Sequence, residues 1–135
     1  MNATISQVLE AMNAHDPQRL GAMFAPDYRS EQPTHPNREY VGRDTVASVW
    51  GDLFTAVPDL RGEVLAEVPD GARVWVEWHW GGHYTDGSPF EMRGVAITTL
   101  NDDGLVATQR LYGELVEQGG PGIEESERQL REPAH

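Results

Sequence analysis

Two hydrophobic periods divide the chain near Pro58. Before it, apolar residues recur at helical spacing; after it, they alternate with polar ones. Ile5, Val8, Leu9 and Met12 form one helical face. Asp16 followed by Pro17 reads as an N-cap and a first-turn proline, opening a second short helix with Leu20, Met23 and Phe24 on one side and Pro26 as its stop. Val46, Val49, Trp50, Leu53, Phe54 and Val57 make the longest stripe, closed by Pro58. Between the second and third helices, "YRSEQPTHPNREYVG" reads as a short extended piece and a proline-rich loop.

Beyond Pro58, turn signals at "PDG" (69–71), "TDGSP" (85–89) and "NDDG" (101–104) separate segments that alternate with period two. They predict a four-stranded antiparallel meander of long strands. Such strands must twist and bend, and Gly81-Gly82 offers a kink or bulge. Three N-terminal helices on a curved antiparallel sheet make an α+β domain shaped like a cone, with an interior. This domain is expected over residues 1–120. Residues 121–135 form a polar tail, either a surface helix from Ile123 to Arg131 or a disordered end.

Composition narrows the partners. A chain of 135 residues fits one domain large enough to enclose a cavity. A net charge of −12 and a pI near 4.6 repel nucleic acid and anionic membranes, so neither is an expected partner. The same charge serves solubility. With no cysteine, disulfides, a thiolate nucleophile and cysteine-bound metal are excluded. The N-terminal residues lack the pattern of a secretory leader, and no apolar run reaches the roughly 18 residues of a membrane span. The expectation is a cytoplasmic protein.

The segment "ARVWVEWHWGGHY" (72–84) threads Glu77 and His79 between tryptophans. If the following turn is symmetric about Asp86 and Gly87, His79 lies opposite Gly94 and Glu77 opposite Ala96. The "NDDG" turn, taken the same way, brings Gly94 beside Tyr112 and Ala96 beside Arg110. One face then carries Glu77, His79, Arg110, Tyr112 and Glu114 around small residues, as an open pocket floor requires. The other carries Val76, Trp78, Trp80, Val95, Ile97 and Leu111, too apolar to face water. A slip of one residue would set Glu77 and His79 against Arg93 and Val95 instead. Alternation alone leaves open whether the polar face lines a pocket or is plain surface.

The stretches "AMNAHDPQRLGAMFAPDYR", "GRDTVASVWGDLFTAVPDLRGEV" and "DDGLVATQRLYGELVEQGG", in this order, resemble the nuclear transport factor 2-like superfamily in its SnoaL-like, polyketide cyclase-like branch. The resemblance runs from about Ile5 to Gly120. It implies a cone with a deep pocket, a homodimer through the outer sheet face, and a pocket-facing Glu77 and His79 with the tryptophans outside. The superfamily holds polyketide cyclases, ketosteroid isomerases, scytalone dehydratases, limonene epoxide hydrolases and non-catalytic binding domains, so fold does not settle activity. The acid of the cyclases matches Glu114, as does the last-strand aspartate of the epoxide hydrolases. The pocket arginine and first aspartate of those hydrolases match Glu77 and His79. The donor aspartate of the isomerases matches Ala96, and their base falls where this chain offers Glu31 and Gln32.

These matches imply acid–base chemistry by Glu114, His79 and Glu77 on a hydrophobic ring substrate of polyketide, terpenoid or steroid type. Tyr112, Arg110, Trp50, Phe54, Glu31, His35 and Met92 would hold that substrate. His79, His83 and Glu114 lack recognised metal-ligand spacing, and "GELVEQGGPG" has no phosphate-loop context, so no metal and no cofactor are expected. The competing expectation is a non-catalytic ligand-binding or dimerisation module, its polar residues joined in a satisfied network.

Overall fold

The computed structural model describes residues 1–133. Asn2 caps α1 (Ala3–Asn13), its side chain accepting from the backbone N–H of Thr4 at 2.9 Å and Ile5 at 3.2 Å. Asp16 caps α2 (Pro17–Gly21) by accepting from Arg19 N–H at 3.0 Å, with Pro17 at the first helical position. This helix is shorter than its apolar spacing suggests. Phe24 and Pro26 belong to β1 (Phe24–Glu31), and the pairing of β1 is irregular between Phe24 and Arg29, where a residue without an N–H costs no ladder bond.

A 3₁₀ turn at Pro36–Arg38 and a two-residue β2 (Tyr40–Val41) fill the proline-rich segment. The third helix, α3 (Arg43–Ala56), presents the expected stripe, with Val46 and Phe54 buried. The meander follows as β3 (Arg61–Asp70), β4 (Arg73–His83), β5 (Pro89–Leu100) and β6 (Val106–Leu115). One curved sheet runs in the order β2-β1-β6-β5-β4-β3, antiparallel throughout except where β1 lies parallel to β6. The α+β cone therefore has two strands more than the meander alone. The polar tail forms α4 (Ile123–Arg131) with no buried residue, and its last two residues lie outside those described.

The register differs from the expected one at two places. Tyr84 and Ser88 close a three-residue loop in which Gly87 N–H bonds Tyr84 O at 2.9 Å and Gly87 adopts a left-handed φ of 86°. Asn101 and Leu105 close a second such loop, with Gly104 at φ 75°. Each is a three-residue hairpin with a left-handed glycine. The first shifts β5 by one residue against β4; the second shift arises at a bulge between Thr99 and Leu100, where Ala107 of β6 is passed over. His79 therefore pairs with Arg93 and Glu77 with Val95, while Tyr112 pairs with Val95 and Glu114 with Arg93. Two one-residue slips keep β4 and β6 in phase and turn β5 over.

The faces are also the reverse of those expected, because α1 and α3 cover the side that carries the tryptophans. Val76, Trp78, Trp80, Ala96 and Leu111 line the inside of the cone. Glu77, Arg93, Arg110, Tyr112 and Glu114 are exposed on the outside. Gly94 and Gly113, directly paired, lie beneath the Trp78 indole: a Cβ on Gly94 would meet Trp78 Cζ2 at 2.6 Å, and one on Gly113 at 2.5 Å. The small residues that suggested an open floor are thus covered by tryptophan. Gly81 and Gly82 pair regularly with Glu91 and Phe90. Gly82 serves close packing instead, since a Cβ there would meet Val57 Cγ1 and Asp59 Oδ1 at 2.7 Å. The bulge in this part of the sheet falls on β3, between Val64 and Ala66.

Helix α1 is fastened at both ends. Thr4 Oγ1 donates to Gly104 O at 2.6 Å, and Asn13 exchanges two hydrogen bonds with the backbone of Gly62, at 3.1 and 2.7 Å. The core beneath it joins Met12, Leu20, Phe24, Tyr28, Val46 and Phe54 with Phe90 and Val106 of the sheet.

Gly113→Ala should force Trp78 or the β5–β6 backbone to shift and destabilise the fold by about 1–3 kcal/mol, as overpacking does. Gly119→Ala, with no atom within 4 Å of the added methyl, is the control. Equal melting temperatures for the two variants would show that the indole does not rest on Gly113.

The Asp59 carboxylate accepts from His83 N–H at 2.7 Å and pairs with His83 Nδ1 at 2.8 Å, contacts that hold its pKa below the ordinary carboxylate value. A depressed folded-state pKa contributes stability above the unfolded-state value, and this contribution is lost as pH falls through the depressed one. The melting-temperature gap between wild type and Asp59→Asn should therefore shrink on acidification through the carboxylate range. A gap that widens would contradict the pairing.

Candidate functional site

Inside the cone is a cavity of about 110 Å³, walled by α1 and α3 on one side and by the inner face of the sheet on the other. Its shape follows from aromatic packing. Trp78 and Trp80, two residues apart on β4, stack with ring centroids 3.8 Å apart. Trp50 of α3 meets Trp80 edge-on at 4.8 Å. Phe24 and Tyr28 on β1 pack edge to face at 4.7 Å. Ile5, Val8 and Leu9 of α1 supply the aliphatic wall.

A row of polar side chains crosses this apolar interior. Tyr40 pairs with Ser30, Ser30 with Gln109, and Gln109 with Thr98, so four neighbouring strands place these residues side by side on one face. Tyr28, two residues before Ser30, shares that face and donates its hydroxyl to Gln109 Oε1 at 2.8 Å. Gln109 Nε2 donates to Thr98 Oγ1 at 3.1 Å. Ser30 Oγ sits fully buried beside the Tyr28 and Tyr40 phenols.

Burial pushes both phenol pKa values up, against a smaller lowering by the Ser30 hydroxyl. Both rings are neutral near pH 7 and act as hydrogen-bonding groups rather than charges. Glu63 touches the cavity edge, but its carboxylate pairs with His79 Nδ1 at 3.1 Å on the outer side.

The residues expected to carry chemistry lie elsewhere. Glu77 is exposed on the outer face. His79 sits between two carboxylates, with Nδ1 near Glu63 and Nε2 at 2.8 Å from Glu91 Oε2. That imidazole holds the Glu91 carboxyl below its ordinary pKa. Glu114 pairs with His35, and Arg110 bonds Glu31 at 3.3 Å. Tyr112 is 40% exposed. None of these, nor Gln32, lines the cavity. Of the expected substrate-holding set, Trp50 does line it. Phe54 packs behind Trp50, with centroids 5.8 Å apart, and stacks on His15 at 4.5 Å. Met92 pairs with Trp80 and packs against the core.

The polar set shares a face as expected, but that face is the outer one, since α1 and α3 pack on the other. Pattern reasoning missed Tyr28, Ser30, Tyr40, Thr98 and Gln109. A usable signal for register was present in Gly87: read as the left-handed residue of a three-residue loop, it would have corrected the β4–β5 pairing.

A family model described as the SnoaL-like domain matches residues 5–109. No functionally curated protein matches the chain. Among solved structures, the chain is similar to an NTF2-like protein of unknown function from Exiguobacterium sp. 255-15, with TM-score 0.71 and 23% identity over 83% of this chain and 98% of that one. It is also similar to IdmH from Streptomyces antibioticus, described as a candidate polyketide cyclase, with TM-score 0.70 and 23% identity over 82% of this chain and 89% of that one. A third similar structure is Rv0760c from Mycobacterium tuberculosis, in complex with estradiol-17β-hemisuccinate, with TM-score 0.70 and 19% identity over 81% of this chain and 89% of that one. At these identities the likeness shows the fold. Among the described residues, no helix is long and apolar enough to cross a membrane.

Trp78→Ala should enlarge the cavity and cost about 3–5 kcal/mol, the range for removing a large buried aromatic side chain. Chemical denaturation followed by far-UV circular dichroism measures this. A loss below about 1 kcal/mol would show that the indole is not a wall of the core.

Proposed function

Since the chain belongs to the SnoaL-like domain family, we propose that it binds a small hydrophobic molecule inside the cone. One observation carries this reading: the cavity is lined by aromatic and aliphatic side chains, with a few hydroxyl and amide groups gathered on one side. That combination suits a ligand held by burial and oriented by a small number of hydrogen bonds. Apart from Glu63 at the cavity edge, engaged with His79 on the outer side, the inner polar groups are hydroxyls and an amide, which favour orienting a ligand over moving protons at neutral pH. Acid–base chemistry by Glu77, His79 and Glu114 would need a substrate on the outer face, where these groups are already engaged or open to water. The ligand-bound state of Rv0760c supports the capacity of this fold to take hydrophobic molecules.

A second copy of the chain across the outer sheet face belongs to the same proposal. Trp75 pairs with Ile97 and Val95 with Tyr112, which gathers an apolar strip whose two aromatic members are each 40% exposed. Glu77, Arg93, Arg110 and Glu114 border it with both signs of charge. A two-fold axis can bring opposite signs together on such a face.

Trp50, Trp78 and Trp80 line the cavity and report on it directly. Titration with single-ring hydrocarbons should change tryptophan fluorescence saturably, and Glu114→Gln or Glu77→Gln should leave the response within about twofold. Absence of any saturable response, or its loss in those outer-face variants, would overturn the cavity reading. Light scattering at micromolar concentration should give about twice the 15.0 kDa chain mass, and Trp75→Glu should lower it toward one chain. A monomeric wild type would remove the dimer from the proposal.

A further inference from the structure

The geometry points to a second binding site, on the opposite side of the sheet from the cavity and independent of it: a shallow depression that receives the carboxylate of a small monoanion.

The depression, of about 70 Å³, is lined by Arg73, Ile97, Thr99, Thr108, Arg110 and Glu31. Strand register explains it. Arg73 pairs with Thr99, Thr99 with Thr108, and Thr108 with Arg29, so one row across four strands reads Arg-Thr-Thr-Arg. The next row on the same face reads Trp75, Ile97, Arg110 and Glu31. Two short hydroxyl side chains between longer ones leave a hollow. The irregularity between Thr99 and Leu100 bends the sheet at the same point.

Charge sets the ligand. All ten strongly basic residues of the chain are arginines, and Arg29, Arg73 and Arg110 gather in these two rows of a protein whose net charge is −12. Their acidic neighbours are Glu31 and Asp70. Glu31 is spanned by Arg29 Nε at 3.4 Å on one oxygen and Arg110 Nε at 3.3 Å on the other, while Arg73 Nη2 donates to Asp70 Oδ2 at 3.0 Å. Three guanidiniums against two carboxylates leave one positive charge. The arginines are more than half exposed, where ion pairs contribute little, so these contacts yield to an incoming anion at small cost.

Donors set the geometry. A guanidinium carries five N–H donors, so Arg73 and Arg110 each keep donors for a further acceptor, and the threonine hydroxyls add theirs. A carboxylate matches the planar guanidinium edge and neutralises the single surplus charge. A phosphate dianion would exceed it.

Nuclear magnetic resonance of the full chain, titrated with acetate at constant ionic strength, tests this. Acetate should give saturable shifts at Arg73, Thr99, Thr108 and Arg110. Arg73→Gln removes a charged donor and should weaken binding about tenfold; Thr99→Val removes one hydroxyl and should weaken it about fivefold. Arg19→Gln, on α2 and paired with Glu10, should leave the affinity unchanged. Shifts that do not saturate, or that are as large at Arg19, would reduce the effect to general screening and overturn the site. Unchanged affinity in both Arg73→Gln and Thr99→Val would overturn it as well. Phosphate binding more tightly than acetate would overturn the carboxylate assignment. If a carboxylate of a second copy fills the depression instead, wild type should bind no acetate and Arg73→Gln should lower the mass seen by light scattering, which would also overturn a free-ligand site. None of these outcomes bears on the cavity, which the tryptophan titration tests separately.

Discussion

The seating of Trp78 on Gly94 and Gly113 is the contact on which the inner architecture depends. A side chain on either glycine would overlap the indole, so the three residues act as one unit across three strands. With Trp78 lying flat, Trp80 can stack on it at 3.8 Å, and Trp50 can close on Trp80 from α3. Packing of this kind is directional as well as hydrophobic: a smaller side chain at position 78 would bury less area and also leave the next ring without a surface to stack on. The cavity is the space that remains when these rings meet α1.

That seating also decides which face of the sheet is wet. Inner residues are apolar except for the row from Tyr40 to Thr98, whose polar atoms bond largely to one another. The charged residues of the same strands turn outward and pair there: His79 with Glu63 and Glu91, His35 with Glu114, Arg110 with Glu31. Most of these pairs are substantially exposed, where ion pairs contribute little to stability. Their arrangement therefore speaks more to solubility and to the character of an interface than to the strength of the fold. With most carboxylates and all imidazoles outside, the polar chemistry of the cavity is hydroxyl and amide, with Glu63 at its edge.

Much of the architecture was legible in the residues. The stripe from Val46 to Val57, the Asp16-Pro17 helix start and the three turn signals marked two helices and four strands because each depends on local rules: periodicity, capping and the left-handed freedom of glycine. Phe24 was misassigned for the same local reason, since one apolar residue at helical spacing cannot be told from the first inward residue of a strand. The extended pieces at Phe24–Glu31 and Tyr40–Val41 join the sheet through β6, which lies far along the chain, and no short window shows that pairing.

The sequence by itself determined that helices precede a four-stranded meander, that Glu77, His79, Arg110, Tyr112 and Glu114 share one face, and that Trp78 and Trp80 share the other. Tertiary structure decided which face is inside. A strand alternates with period two, so side-chain pattern states only that two faces differ, and one longer hairpin loop with one bulge is enough to exchange the partners of β5. The decision came from contacts between residues distant in sequence. The Trp78 indole lies where Gly94 and Gly113 present no Cβ, and the helices cover the face on which it lies. The row of Tyr40, Ser30, Gln109 and Thr98 became a site only when four strands brought single, unremarkable polar residues into line.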